Sequence, residues 1–200
     1  MSKRDSALVA GLGALARGGV DFIVVGVGGI NFYAADEASA IATLDIDILL
    51  RPDVATLRAA FAALQKVGFT FEAGGEPFVD FEDDVVLHNI VRSGASLTAR
   101  HARGAQLDLM LSITGLHYDA LAADPVTFTV ARAPVRVGRL EKLLRSKELA
   151  GRPKDVEFLR LFAARFRNDL PRRSVDATVP KVRGPRRTAA PPKNPRPKKR

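Results

Sequence analysis

The chain has 200 residues, of which 46% are apolar and 26% charged, as expected of a globular protein with one buried core and a modest extension. It has no cysteine, which excludes a disulfide framework and a thiolate metal site. No apolar stretch is long enough to span a bilayer and no signal-peptide pattern is present, so we expect a cytoplasmic protein with no membrane partner.

The net charge of +9 is concentrated at the C-terminus. The segment 171–200 holds eleven Lys and Arg, seven Pro and one Asp, so it carries +10 while residues 1–170 carry −1. With almost no large apolar side chains, this segment cannot offset its ordering entropy. We therefore predict one domain over 1–170 and a disordered basic tail over 171–200. The tail could hold nucleic acid through phosphate contacts or serve only as a solubilising extension.

Apolar periodicity and turn residues predict the order of helices and strands. The chain begins with a helix over 6–17, a strand over 21–26, a turn at 27–29 and a helix that starts at residue 30. The remaining predicted elements are a strand at 43–50, a helix at 55–67, strands at 69–72, 85–91 and 106–111, a helix at 115–123, a strand at 126–130, and helices at 140–150 and 154–166. This mixture predicts an α/β or α+β fold, a mixed sheet flanked by helices with a helical C-terminal part.

Two aspartates interrupt the apolar strand predicted over 43–50. Because side chains alternate along a strand, Asp45 and Asp47 should share one face, while Leu44 and the isoleucines point into the core. Aspartate is disfavoured inside strands, and two neighbouring carboxylates repel each other unless a cation lies between them. The pattern favours a site for a divalent cation such as Mg²⁺, although a solvent-facing strand end with two acids would look the same.

A third aspartate, Asp108, lies within the apolar strand predicted over 106–111. On a strand next to the first one, its carboxylate could complete the metal site or take the proton from an attacking hydroxyl group. On an edge strand it would be an ordinary exposed acid.

A glycine-rich run, Gly26-Val-Gly28-Gly29, lies at the end of the first predicted strand. Glycines there allow the backbone to approach a phosphate closely, and the following helix offers free N–H groups. The dinucleotide-binding fingerprint needs a further glycine where this chain has Asn31, which argues against that class of site. A plain turn remains the alternative.

A basic run lies between the two last predicted helices: Lys147-Glu-Leu-Ala150-Gly-Arg152-Pro-Lys154-Asp155. Lys147 could reach a triphosphate as a point charge. Alternatively, the run is a solvated helix end, with Gly151 and Pro153 as its stop signals.

Taken in order, these motifs resemble the nucleotidyltransferase superfamily that includes DNA polymerase beta, most closely its small bacterial AbiEii-like branch. Members of that branch show Gly-Gly after a strand, then T-x-D-x-D on a strand, a third Asp on a later strand, and K-x-x-A-x-R-x-K-D on a late helix. The family often has an arginine four residues before the first aspartate, where this chain has Ile41. The matching residues here are Gly28-Gly29, Thr43 to Asp47, Asp108, and Lys147 to Asp155, within about residues 21–166.

The resemblance implies transfer of a nucleoside monophosphate from an NTP to RNA, protein or a small molecule, with release of pyrophosphate. Several members are the toxin of a toxin–antitoxin pair, so it also implies an antitoxin protein as a partner. The implied catalytic residues are Asp45, Asp47 and Asp108, which would hold Mg²⁺, and Lys147; the implied nucleotide contacts are Gly28, Gly29, Thr43 and Lys147, with Asp155 holding the late helix in place.

Two functions of other classes stay open on the sequence alone. The chain could be an inactive member of the same fold that binds nucleic acid or a protein partner through its tail. It could also be an unrelated basic-tailed binding protein in which the three aspartates have no role.

Overall fold

The computed structural model describes residues 2–34 and 40–166, and the predicted tail lies outside that part of the chain. The helices are α1 (Lys3–Arg17), α2 (Gly26–Asn31), α3 (Val54–Gln65), α4 (Asp84–Ser93), α5 (Tyr118–Ala122), α6 (Leu140–Ala150) and α7 (Pro153–Phe166). The strands are β1 (Phe22–Val24), β2 (Ile46–Leu50), β3 (Phe69–Ala73), β4 (Glu76–Phe78), β5 (Leu97–His101), β6 (Gln106–Met110), β7 (Val126–Val130) and β8 (Ala133–Val137).

The eight strands form one mixed sheet in the order β4-β3-β5-β6-β2-β1-β8-β7. The pairs β2–β6 and β1–β8 are parallel, and the other neighbouring strands are antiparallel. Helices flank this sheet, which confirms the predicted mixed α/β architecture. The two closing helices also begin and end close to their predicted limits.

Helix α1 covers one face of the sheet. A capping box starts the helix, because Ser2 Oγ accepts a hydrogen bond from Asp5 N while the Asp5 carboxylate accepts one from Ser2 N. Gly11 sits so close to the sheet that an added Cβ would lie 2.9 Å from a methyl carbon of Leu107. Leu107 therefore points towards α1, and its neighbour Asp108 points to the opposite face.

The central strand β2 runs from an accessible end into the core. Ile48, Leu49 and Leu50 are fully buried, whereas Ile46 and Asp47 are only partly covered. Burying three consecutive apolar side chains requires cover on both faces of the sheet at this end. At the other end, the polar side chains of β2 remain accessible.

The segment 85–91, predicted as a strand, is part of helix α4, so that prediction was wrong. The run of valines and isoleucine has high strand propensity. The secondary structure of the segment is determined instead by the cap that precedes it and by its helical periodicity. Asp83 caps the helix by accepting hydrogen bonds from Val85 N and Val86 N. Leu87 is the one fully buried side chain of α4, as suits a helix lying on the surface.

Three other sequence predictions are corrected. The strand predicted over 43–50 begins only at Ile46, and Leu44, expected in the core, is 79% exposed. The turn predicted at 27–29 and the helix predicted from residue 30 form one helix, α2, which begins at Gly26. Strands β4, β5 and β8 were not predicted, because their sequences mix charged residues or proline with few apolar positions.

Among the described residues, no helix has both the length and the apolar character that a membrane crossing requires.

Candidate functional site

Asp47 and Asp108 are brought together by the pairing of β2 with β6. In this parallel pair, Asp47 lies opposite Asp108, so their side chains project from the same face of the sheet. The antiparallel neighbour β5 places Thr98 opposite Asp108 on its other side. Three adjacent strands thus present a row of oxygen-bearing side chains on the face opposite α1.

The carboxylate of Asp108 is oriented by two donors from the sheet. Thr98 Oγ1 and Gln106 Nε2 each donate a hydrogen bond to Asp108 Oδ1 at 3.0 Å. Because both bonds end on the same oxygen, they fix the orientation of the carboxylate. Thr98 was not singled out in the sequence, since a threonine in a strand has no signal of its own.

Asp45 lies just outside the strand rather than within it, since β2 begins at the next residue. Thr43 Oγ1 lies 2.8 Å from Asp45 Oδ1, within hydrogen-bond distance, and 3.2 Å from the Asp45 backbone oxygen. The sequence resemblance implied a nucleotide contact for Thr43, and in the structure this residue contacts the first aspartate. Asp45 and Asp47 line the same cleft.

Gly26, at the start of α2, lies directly against Asp47. An added Cβ would be 1.7 Å from Asp47 Oδ2, and the residue has a φ of +64°. Both the close approach and the left-handed backbone require glycine here. In addition, Val25 N donates a hydrogen bond to Asp47 O at 2.9 Å, which fixes α2 to the backbone of β2.

The surroundings of Asp47 disfavour its ionised form. Burial, together with the negative charges of Asp45 and Asp108, raises the pKa of Asp47 to about 6, and the positive charges of Lys147 and Lys154 only partly oppose this shift. A carboxyl with a pKa this close to neutrality is one that a nearby cation would ionise readily.

A cleft of about 770 Å³ separates this sheet face from helices α6 and α7. Lys147 lines the helical wall with a side chain that is 12% exposed, and its Nζ lies 3.0 Å from Asp155 Oδ1. The Asp155 side chain is 1% exposed and also accepts a hydrogen bond from Arg152 at 2.6 Å. Lys147 also lies over the ring of Phe158, 5.4 Å from the ring centroid.

The chain matches no family model, no curated protein and no solved structure.

Two further cations, Arg152 and Lys154, line the cleft and are exposed. Arg152 is 58% exposed although it pairs with Asp155, and Lys154 is close enough to Asp47 to influence its pKa. Sequence reasoning placed both in the basic run without giving either a role. Their signal was the spacing that brings Lys147, Arg152 and Lys154 to one wall where α6 meets α7.

Gly28 and Gly29, expected to lie at the phosphates, are buried inside α2 and are not among the residues that line the cleft. An added Cβ at Gly28 would be 3.3 Å from the backbone of Ile46, and one at Gly29 would be 3.1 Å from a methyl carbon of Leu143. The two glycines let α2 pack closely between β2 and α6. Of the glycines in this region, Gly26 is the one that lines the cleft.

The other basic residues of α6 face elsewhere. Lys142 pairs with Asp124, and Arg145 pairs with Glu148 on the same helix. Lys147 is thus the residue of this helix that carries a positive charge into the cleft.

Within residues 2–34 and 40–166, no three His, Cys, Asp or Glu side chains are gathered closely enough to count as a ready-made metal site. Mg²⁺ does not demand one, because it is usually held by one or two carboxylates together with waters and substrate phosphates. The aspartates of the cleft offer oxygen ligands only, and one or two of them completed by waters and substrate phosphates would fit that cation.

Proposed function

We propose that this protein is a metal-dependent nucleotidyltransferase, and that its mixed sheet and helices are a version of the nucleotidyltransferase fold. The observation that carries the proposal is the in-register pair Asp47 and Asp108, which with Asp45 faces a cleft whose opposite wall holds three cations, Lys147, Arg152 and Lys154, beside the acids Asp155 and Glu157. Acidic residues facing basic ones across a cleft suit a substrate that brings both a divalent cation and phosphates.

Asp45, Asp47 and Asp108 are the residues that would hold Mg²⁺. When bound, the cation would neutralise the charge that develops on the phosphate oxygens. The raised pKa of Asp47 supports this assignment, because burial and the neighbouring carboxylates disfavour the charged form of Asp47 and a bound cation would stabilise it.

The phosphates of the NTP would lie against Lys154 and Arg152. Both are exposed, whereas Lys147 is almost buried and held by Asp155. We therefore assign Lys147 an electrostatic and positioning role on the helical wall, and Lys154 the direct contact with the phosphates.

The reaction moves an NMP group from the NTP to a nucleophile on the acceptor. A bond forms between the acceptor oxygen and the α-phosphorus, the bond from that phosphorus to the bridging oxygen breaks, and pyrophosphate leaves. The acceptor hydroxyl loses its proton, and Asp108, whose carboxylate accepts hydrogen bonds from Thr98 and Gln106, would accept it.

The acceptor would be RNA, protein or a small molecule, in the cytoplasm where NTPs are supplied. The basic segment 171–200 would add salt-sensitive affinity for an RNA acceptor. A toxin role, with an antitoxin partner, belongs to the same proposal.

The test is to incubate the full chain with Mg²⁺, each α-³²P-labelled NTP in turn and total cellular RNA, and then to separate RNA, protein and small molecules. The proposal expects label in one of these fractions with the wild type, and none with Asp45→Ala or Asp47→Asn. Asp80→Asn, which changes an exposed acid outside the cleft, should transfer like the wild type. The proposal is contradicted if transfer survives in both site variants. It is also contradicted if the wild type transfers label from none of the NTPs to any of the three fractions.

A further inference from the structure

The short helix α2 is connected to both aspartates of the Asp45–Asp47 pair. At its start, Gly26 lies against Asp47 Oδ2. At its end, Asn31 makes two hydrogen bonds to the backbone of Ile41: Asn31 Nδ2 donates to Ile41 O at 2.8 Å, and Ile41 N donates to Asn31 Oδ1 at 2.9 Å. The helix thus fixes the segment that leads to Asp45 relative to Asp47.

The segment 41–45 needs such support because it has no regular secondary structure. Pairing with β6 begins only at Ile46. The side chain of Ile41 is half-buried against the core, but Leu44, next to Asp45, is 79% exposed and gives the segment no apolar anchor. Polar contacts must therefore hold the positions nearest to Asp45.

Helix α1 supplies the second contact. Arg4 Nη2 donates a hydrogen bond to Thr43 O at 2.8 Å, and this partly buried pair joins residues 39 positions apart in the chain. The Thr43 hydroxyl then lies 2.8 Å from Asp45 Oδ1. A continuous series of polar contacts thus runs from Arg4 through Thr43 to the Asp45 carboxylate.

We propose that Asn31 and Arg4 are positioning residues for Asp45, an inference that rests on the proposed function. Asn31 holds the backbone at Ile41 and Arg4 holds it at Thr43, so that the Asp45 carboxylate is kept facing the cleft beside Asp47. Without them the segment would sample several conformations. The free-energy cost of ordering it on binding would then weaken the affinity for the cation.

This role accounts for two residues that stood out in the sequence. Asn31 occupies the position where a dinucleotide site would need glycine, and Ile41 the position where nucleotidyltransferases often have arginine. Asn31 contacts only backbone atoms of Ile41, so the hydrogen bonds do not depend on which side chain is present at residue 41.

The experiment measures binding of Mn²⁺, used in place of Mg²⁺, to the full chain without nucleotide by electron paramagnetic resonance. Asn31→Ala and Arg4→Met should each weaken Mn²⁺ binding by roughly 10-fold to 100-fold, as is typical when the partners of metal ligands are removed. Arg4→Lys keeps a donor within reach of Thr43 O and should recover most of the affinity.

Two matched controls carry the same types of substitution at exposed positions outside the cleft. Asn89→Ala removes an asparagine of helix α4, and Lys3→Met removes a cation of the first turn of α1. Both should bind Mn²⁺ like the wild type. In the transfer assay, Asn31→Ala should lower kcat while the KM for NTP changes less, because Lys154 is untouched.

The outcomes distinguish failure of the positioning role from failure of the proposed function. If Asn31→Ala and Arg4→Met unfold cooperatively and bind Mn²⁺ like the wild type, while Asp45→Asn binds weakly, the positioning role is wrong and the proposed function stands. The same holds if the two variants lose only thermal stability. If Asp45→Asn binds Mn²⁺ as well as the wild type, or the wild type does not bind it, both proposals fail.

Discussion

Asp47 on β2 and Asp108 on β6 lie opposite each other in a parallel pair of strands, with both side chains on the face that lines the cleft. Two like charges in register on neighbouring strands destabilise a sheet unless something compensates for them. Lys147 and Lys154 compensate only in part, since the pKa of Asp47 remains raised to about 6.

Replacing Asp47 with Asn should stabilise the protein at alkaline pH in the absence of divalent cations. The pKa of Asp47 rises from its ordinary 3.8 to about 6 on folding, so the folded state binds the proton more tightly than the unfolded state. The Asp47 carboxyl therefore does not lower the unfolding free energy below about pH 4, where it is protonated in the folded state. Unfolding free energy is lost as the pH rises through about 6. Asp47→Asn removes this loss, which amounts to at most about 3 kcal/mol.

Urea unfolding in EDTA at pH 4 and pH 8 measures the effect. The difference in unfolding free energy between Asp47→Asn and the wild type should be near zero at pH 4 and positive at pH 8. Asp80→Asn, an exposed acid, provides the control. An Asp47→Asn protein that is no more stable than the wild type at pH 8 would mean that the negative charge is already balanced.

Replacing Gly26 with Ala should displace Asp47 as well as strain the backbone. Its Cβ would lie 1.7 Å from Asp47 Oδ2, and alanine at a φ of +64° costs about 1–2 kcal/mol. Gly74→Ala is a matched control, because Gly74 has a φ of +59° with nothing within 4 Å of an added Cβ. Both variants should lose unfolding free energy in denaturant titrations, but only Gly26→Ala should lose Mn²⁺ binding. Equal binding in the two variants would show that Gly26 serves only the backbone.

Replacing Asp155 with Ala should destabilise the junction of α6 and α7. The variant leaves Lys147 nearly buried without its partner, and breaking a buried pair in this way costs about 3–5 kcal/mol. Thermal unfolding followed by circular dichroism measures the loss. Glu157→Ala removes an exposed acid of the same helix and should change the stability by less than about 0.5 kcal/mol.

The contribution of Asp155 should also depend on pH. Burial by itself would raise its pKa, but the hydrogen bonds from Arg152 and Lys147 outweigh burial and lower it. The folded-state pKa thus lies below the ordinary 3.8, so this stabilisation is present above about pH 4 and is lost as the pH falls through the folded value. If the difference in stability between Asp155→Ala and the wild type is as large at pH 2 as at neutral pH, the ion pair is contradicted.

Replacing Lys154 with Ala should weaken NTP binding more than it slows the chemical step. If Lys154 contacts the phosphates equally in the bound substrate and the transition state, its loss raises the KM by roughly tenfold and leaves kcat nearly unchanged. Initial rates over a range of NTP concentrations measure the two constants. Lys66→Ala, an exposed lysine at the end of α3, is the control. An unchanged KM in Lys154→Ala would move the phosphate contact to Arg152 or Lys147.

Part of the fold followed from local sequence. Local spacing of apolar residues was enough to predict α1, the two closing helices and the strands β2 and β6. Strand propensity was misleading at 85–91, where the cap at Asp83 and surface packing produce helix α4. Strands such as β8, with Pro134, exist because neighbouring strands pair with them, and pairing leaves little trace in composition.

The sequence by itself determined which residues are candidates for the proposed chemistry: three aspartates, Lys147 and the charge of the segment 171–200. Only the tertiary structure decided that Asp108 lies in register with Asp47, that Gly26 rather than Gly28 or Gly29 lines the cleft, and that Asn31 and Arg4 hold the segment before Asp45. The physical reason is the distance along the chain over which each property is determined. Residue type and alternation are local properties, whereas the register that puts Asp47 opposite Asp108, 61 positions away, and the hydrogen bonds of Asn31 and Arg4 depend on how the whole sheet and its helices pack.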